Sequence, residues 1–373
     1  MFSKSISTDD IKRELYNVYM PKNKSEKTTI KLSKNSFLNM YVFNNPNKKY
    51  IQTGESDEFC DCLIHMLDWD IVIQVKENKN PNAKNWFQRQ VLGEARKQLT
   101  ISCAALSSGE FEIWDRENSI CLCKVPKNPQ QVFPVIVFEK EDLYRYQQVA
   151  LSEKHTETRL GYVACNIFSM EDFEYATSMI PTGKDFVEYL IFRFNKLKQL
   201  KPCIQLYPIF KKGDQFLLTK NVSTNEQILI SEFLHSKFEN PEEALINAKM
   251  WHDNLSGLEV DNVNKDFLQI LSYLSMKEIK RWDEHYKDLK RTSNNIQYVW
   301  KSEPVLIGTI DNRKYGIMLS YVPMKTLISK QTNGDKEIKS DALALLNKYE
   351  LSAMFVFQYT DSKTVRLITI TKQ

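Results

Sequence analysis

Between Glu58 and Lys76 the chain reads EFCDCLIHMLDWDIVIQVK, two short apolar runs joined by a tight polar turn. This pattern predicts a β-hairpin, with one strand over 60–67, a bend at Asp68-Trp69-Asp70 and a second strand over 71–75. The second run is mostly β-branched (Ile71, Val72, Ile73, Val75), as expected of a central strand buried on both faces. Polar groups break that apolar pattern at Asp61, Gln74 and Lys76. Gln74 and Lys76 are two apart, so their side chains leave the same face.

The rest of the chain alternates between the two periods. Ser7 to Asp10 cap an expected helix from Ile11, and the lysine-rich stretch 21–35 reads as a loop or a phosphate-contacting arm. Residues 37–43 are a short apolar stretch, and 44–54, with Asn-Asn-Pro-Asn, read as a turn. Residues 86–106 carry helical periodicity. Strands are expected at 111–114, 120–125 and 132–138, extending the hairpin's sheet past that helix. A short helix is expected at 142–150, a strand at 162–168, and then Ser169-Met170-Glu171-Asp172 as a capping box. An amphipathic helix over 182–200 ends at Pro202, where the domain boundary is placed. Beyond it come a hairpin at 204–210 and 215–219, helices at 223–238, 241–255 and 265–291, a hairpin at 305–310 and 315–322, a helix at 340–348, and strands at 353–359 and 365–371. The expected class is α/β: a mixed sheet flanked by helices over 1–202, followed by a smaller α+β domain over 203–373.

Length supports two domains with cores of their own, at 373 residues. With 42% hydrophobic and 26% charged residues, the composition is that of a soluble globular protein. A net charge of +4 leaves any nucleic-acid affinity to local basic clusters. The densest lies on the 265–291 helix, where Glu278, Asp283, Glu284 and Asp288 dilute it towards a solvated surface. Cys60/Cys62 and Cys121/Cys123 alternate with apolar residues, so buried thiols are expected rather than a zinc site. Scattered cysteines, no 18-residue apolar run and no signal-peptide pattern point to the cytoplasm and away from a membrane. His252 and His285 lack metal-like spacing, and ten glycines include no phosphate-binding loop.

The chemistry sits in the hairpin. A carboxylate on one strand, with a Gln and a Lys on its neighbour, suits metal-assisted phosphodiester hydrolysis. Mg²⁺ takes hard oxygen ligands, acidifies a bound water and neutralises phosphate charge, and a lysine beside it stabilises the anionic transition state. The plain alternative is a structural hairpin in which Asp61 and Lys76 form an ion pair.

The order acidic residue, strand, turn, apolar strand, Gln-x-Lys resembles the core of the PD-(D/E)xK restriction-endonuclease-like nuclease superfamily. More closely, Glu58-Phe59-Cys60-Asp61, then Trp86, Ala95 and Gln98, resemble a bacterial group with Glu-x-Cys-Asp before the first core strand. The resemblance covers about 40–200. It implies a restriction-endonuclease-like fold and a nuclease using Mg²⁺, with Mn²⁺ as substitute, most naturally on DNA in defence against foreign DNA. It implies Asp61, Gln74 and Glu58 as metal ligands, Lys76 beside the attacking water, and a homodimer as one assembly. Arg89, Arg96, Lys97 and Gln98 become candidate nucleic-acid contacts, and Glu14 an additional acidic residue on an early helix. Gln74 departs from the usual Glu or Asp, which keeps a second class open: a non-catalytic module of the same fold that binds nucleic acid or a protein.

Overall fold

The computed structural model describes residues 23–36, 41–66, 68–78, 86–108, 110–115, 120–123, 131–139, 145–146, 148–151, 163–199, 218–219, 222–256, 270–271, 273–292, 300–310, 313–322, 333–360 and 365–371. It divides into two compact units, one of 1–181 with 186–236 and one of 182–185 with 237–373. The expected boundary at Pro202, the early helix with Glu14 and most of the 204–219 hairpin lie outside the described residues.

In the first unit the hairpin strands are β4 (Cys62–His65) and β5 (Asp70–Glu77), closed by Met66 N–H donating to the Trp69 carbonyl at 3.0 Å. The first strand is shorter than the apolar run predicts, and Asp61 stands just ahead of it rather than within it. Residues 70–75 are all buried, as a β-branched run in a central strand requires. A six-stranded mixed sheet forms around β5 in the order β1-β4-β5-β8-β11-β10, from β1 (Val42–Asn44), β8 (Val132–Glu139), β10 (Gln148–Leu151) and β11 (Val163–Ser169). β5, β8 and β11 run parallel, and the other neighbours are antiparallel. The chain is therefore of the mixed α/β class.

Each face of the sheet has its cover. Val72 and Leu63 pack with Val91, Leu92, Ala95 and Leu99 of one helical segment, π-helical over Phe87–Ala95 and continuing as α2 (Arg96–Ser108). The other face meets α1 (Lys24–Ser36). That helix occupies the lysine-rich stretch expected to be a loop: its lysines stay largely outside while Ser25, Glu26, Thr29, Ile30 and Ser33 are buried.

The segment expected to be a turn at 44–54 holds a strand, β2 (Asn47–Tyr50), between Asn45 at φ 43° and Gly54 at φ 72°. Asn tolerates the left-handed region better than most residues, and Gly enters it without strain. β2 lies in a second, four-stranded sheet ordered β3-β2-β6-β7, with β3 (Ser56–Glu58), β6 (Phe111–Asp115) and β7 (Ile120–Cys123). Contrary to the expectation that all three strands extend the main sheet, β6 and β7 lie in this second sheet, and only β8 joins the main one. Residues 145–146 form β9, pairing with β12 (Leu218–Thr219), and with β10 they replace the helix expected at 142–150. Ser169 caps α3 (Met170–Met179) by accepting the Asp172 N–H at 3.1 Å, and α4 (Gly183–Gln199) follows the amphipathic pattern. α5 spans Val222–Lys237.

At the centre of this unit Arg193 is fully buried. Its guanidinium donates to both Glu226 oxygens (2.9–3.1 Å), to Asn166 Oδ1 (3.1 Å) and to the Ile167 carbonyl (3.1 Å), and lies 4.0 Å from the Phe168 ring centre. Tyr189 donates its hydroxyl to the same carboxylate.

The second unit is a sheet of β13 (Trp300–Lys301), β14 (Val305–Ile310), β15 (Arg313–Val322), β16 (Ala353–Thr360) and β17 (Val365–Thr371), with helices α6 (Pro241–Ser256), α7 (Met276–Thr292) and α8 (Asn333–Lys348). β15 and β16 are parallel, bridged by α8, which packs on Met318, Met354 and Val356. α7 starts later than the expected 265 because Ser275 and Glu278 form a reciprocal capping box there. Three of its basic residues pair with nearby carboxylates: Lys280 with Glu243, Lys287 with Asp283 at 2.6 Å and Arg291 with Asp288. Among the described residues no helix is long and apolar enough to cross a membrane.

Candidate functional site

β4 begins only at Cys62, opposite Ile73, while β5 runs on to Glu77, so the far end of β5 extends past its partner strand on that side. Asp61 fills the gap. Its N–H donates to the Ile73 carbonyl at 3.2 Å, and its Oδ2 accepts the Val75 N–H at 2.7 Å, so the carboxylate continues the ladder where the strand stops. One step beyond the last pair, Cys62 with Ile73, Asp61 stands beside Gln74. Lys76, on the same face as Gln74, donates to Gln98 Oε1 on α2 at 2.9 Å. Ser102, one turn further along α2, donates to the Phe59 carbonyl at 2.5 Å and so ties the helix to the segment that carries Asp61.

These groups open on one cleft of about 470 Å³. Glu58, Asp61, Gln74, Lys76 and Gln98 all line it. Arg89, Arg96 and Lys97 do not: Arg89 and Lys97 are exposed on the helix, and Arg96 is half-buried. The lining also includes charged and polar residues that the sequence does not single out, among them Asn23 and Glu26 at the start of α1, Lys48 and Asp57 from β2 and β3, and Glu77 and Glu94. Glu26 is 4% exposed, takes Asn23 Nδ2 at 2.6 Å on Oε1, and raises the Asp61 pKa by its charge. Its sequence signal was only the Asn23-x-x-Glu26 helix start, with Asn23 Oδ1 accepting the Glu26 N–H.

The cleft is acidic. Glu26, Asp57, Glu58, Asp61, Glu77 and Glu94 face Lys48 and Lys76. Burial pushes Asp61 up to about 7; the Val75 N–H and Lys76 oppose this, and Glu26 and Glu58 add to it. The adjacent thiols are inert for a related reason: Cys60 and Cys62 are buried and free, and burial lifts Cys62 to about 12.

Among the described residues no three His, Cys, Asp or Glu side chains stand together as a ready-made metal cage. The donor set nevertheless fits Mg²⁺, which is commonly held by one or two carboxylates and keeps several waters. Asp61 has one carboxylate oxygen on Val75, and the cleft supplies a neutral amide oxygen in Gln74 and further carboxylates in Glu26 and Glu58. A carboxylate that burial keeps near its neutral form is one that a cation would ionise.

This has a consequence for stability. An unfolded Asp ionises near 3.8, whereas folded Asp61 does so near 7. Between those values the folded chain retains a proton that the unfolded chain releases, so stability falls as pH rises from about 4 to 7 and is level above. Asp61→Asn keeps an acceptor for Val75 and has no charge to desolvate. It is expected to be more stable than wild type at pH 8, on the order of a few kcal/mol, with the gap closing towards pH 4. Urea unfolding across that range checks this. Added Mg²⁺ should raise wild-type stability at pH 8 and leave the variant unmoved.

Comparison with family models, with curated proteins and with solved structures gives no match.

Proposed function

We propose that the protein is a metal-dependent nuclease that hydrolyses phosphodiester bonds, with DNA as substrate and a restriction-endonuclease-like first unit. The observation that carries this reading is the convergence in one cleft of Gln74 and Lys76 from β5, Asp61 from just ahead of β4, and Glu26 and Glu58. Asp61 and Gln74 would hold Mg²⁺ or Mn²⁺, with Glu26 or Glu58 directly or through water. The bound cation supplies an acidified water and charge neutralisation at the phosphate. Asp61 is held for this by the Val75 N–H, which fixes one of its oxygens, and the residue lines the cleft. Lys76 is fixed by Gln98 beside that oxygen set, where an ammonium can orient the attacking water and stabilise the charge developing on the phosphate. Exposed Arg89 and Lys97 take phosphates flanking the cut. Restriction of foreign DNA is the setting this chemistry fits.

Gln74, with no three-residue cage of His, Cys, Asp or Glu among the described residues, favours a second reading, a nucleic-acid-binding module of the same fold without catalysis. Purified protein incubated with Mg²⁺ or Mn²⁺ and single-stranded, duplex and RNA substrates separates the two. Cleavage is the expected result. Binding without cleavage of any substrate selects the second reading.

A further inference from the structure

Lys48 sits in the middle of β2, paired across the sheet with Asp57 of β3. Its side chain is only 9% exposed, and it lines the cleft from a different sheet than Gln74 and Lys76. An ammonium has three donors and no acceptor, and a lysine this buried ordinarily has close partners. Among the described residues its charged partner is Asp57, whose Oδ2 lies 3.4 Å from Nζ, long for a charge-assisted hydrogen bond. The Phe111 ring lies beneath, 6.0 Å from Nζ to its centre. Asp57 is the opposite of Lys48. It is 68% exposed, and its Oδ1 already accepts the Glu58 N–H at 2.8 Å. A sheltered cation is thus satisfied by a hydrated, loosely held anion on the wall of a cleft.

We infer that Lys48 is the phosphate anchor of this cleft: its ammonium takes a non-bridging oxygen of a bound nucleic-acid strand, and Asp57 holds that place only while no strand is present. The inference rests on the nucleic-acid reading above and adds a second point of attachment on the wall formed by β2 and β3. The exchange costs little on the Asp57 side, because that carboxylate is already mostly in water. The aromatic face of Phe111 keeps the ammonium in position whichever anion it meets. A cross-strand ion pair that only supports the sheet would show no such exchange.

The test measures binding of a fluorescent single-stranded oligonucleotide, and of a duplex of equal length, in EDTA over a range of salt. Lys48→Met keeps the aliphatic stem and removes the charge. It should weaken binding about tenfold and flatten the slope of log affinity against log salt by about one counterion. Lys48→Arg should restore most of both. Asp57→Asn should tighten binding severalfold, and this gain should vanish in the Lys48→Met background. Lys48→Met with wild-type affinity and slope, or Asp57→Asn that leaves affinity unchanged or lowers it, overturns the inference while the nuclease reading stands on Mg²⁺-dependent cleavage. Wild-type protein that binds neither probe also overturns the inference, and the nuclease reading is then decided by the cleavage assay with Mg²⁺ or Mn²⁺. If Lys48→Met does not fold, Asp57→Asn at its exposed position decides alone.

Discussion

Asp61→Ala and Lys76→Ala should each lower Mg²⁺-dependent cleavage by ~10²–10³-fold while binding of uncleaved substrate survives, since one preorganised electrostatic contact is commonly worth that much in rate. Asp61 is the carboxylate fixed to β5 itself through Val75, and Lys76 is the cation fixed to α2 through Gln98. Neither loss is compensated by a neighbour of the same kind and placement. Glu26→Gln should fall between these variants and wild type, because Glu26 lines the cleft from α1, anchored by Asn23, and not from β5 itself. Gln74→Glu is the sharpest member of the series. It supplies an anionic ligand where the amide stands, and should keep or raise activity if position 74 faces the metal. Single-turnover cleavage with a parallel binding measurement separates chemistry from affinity. A wild-type protein silent towards every substrate, with Gln74→Glu equally silent, ends the nuclease reading.

The second large effect concerns folding. Glu226→Ala should destabilise the first unit by about 3–5 kcal/mol, the usual cost of leaving one member of a buried ion pair without the other. Arg193 is fully enclosed, and Glu226 accepts three of its hydrogen bonds as well as the Tyr189 hydroxyl. Removing the carboxylate strips the buried guanidinium of the counter-ion that takes three of its hydrogen bonds, and the bonds to Asn166 and the Ile167 carbonyl are to neutral acceptors. The double variant Arg193→Met/Glu226→Leu should lose much less, because no charge is then stranded in the interior. Chemical denaturation of the three proteins tests this. A double variant as damaged as the single one would show that packing, not charge, governs the site.

Several of these features could be read in the residues beforehand. The run Ile71 to Val75 identifies a strand buried on both faces, Ser169 announces the start of α3, and the spacing of Phe186, Tyr189, Leu190 and Phe194 marks α4. Asp61, Gln74 and Lys76 stood out because polar residues interrupt an apolar pattern. α1 was illegible for the converse reason: its inward face is Ser25, Glu26, Thr29 and Ser33, with Ile30 as the apolar member, so no hydrophobic stripe exists to reveal it. Glu26 was hidden with it. β2 was masked by turn-forming neighbours, since Asn44, Asn45 and Pro46 precede it and Gly54 follows. The sheet to which β6 and β7 belong depends on hydrogen bonds with β2, about sixty residues earlier, and local sequence carries no record of such pairing. The Lys48–Asp57 wall of the cleft was hidden together with β2, to which Lys48 belongs.

The strand order also dictates when the cleft can come into being as the chain folds. The β4–β5 hairpin joins neighbours, and the contact from Val75 to Asp61 spans only 14 residues, so this half of the site can form with the hairpin on a microsecond timescale. The parallel partner of β5 is β8, whose first paired residue, Val132, lies about sixty positions beyond Asp70, and closing so long a loop costs entropy before any contact repays it. Until β8 docks, the β-branched edge of β5 stays open to other chains. Refolding should therefore be slow and concentration-sensitive, with aggregation competing for that edge, and expression at low temperature is the condition under which the native pairing has time to win.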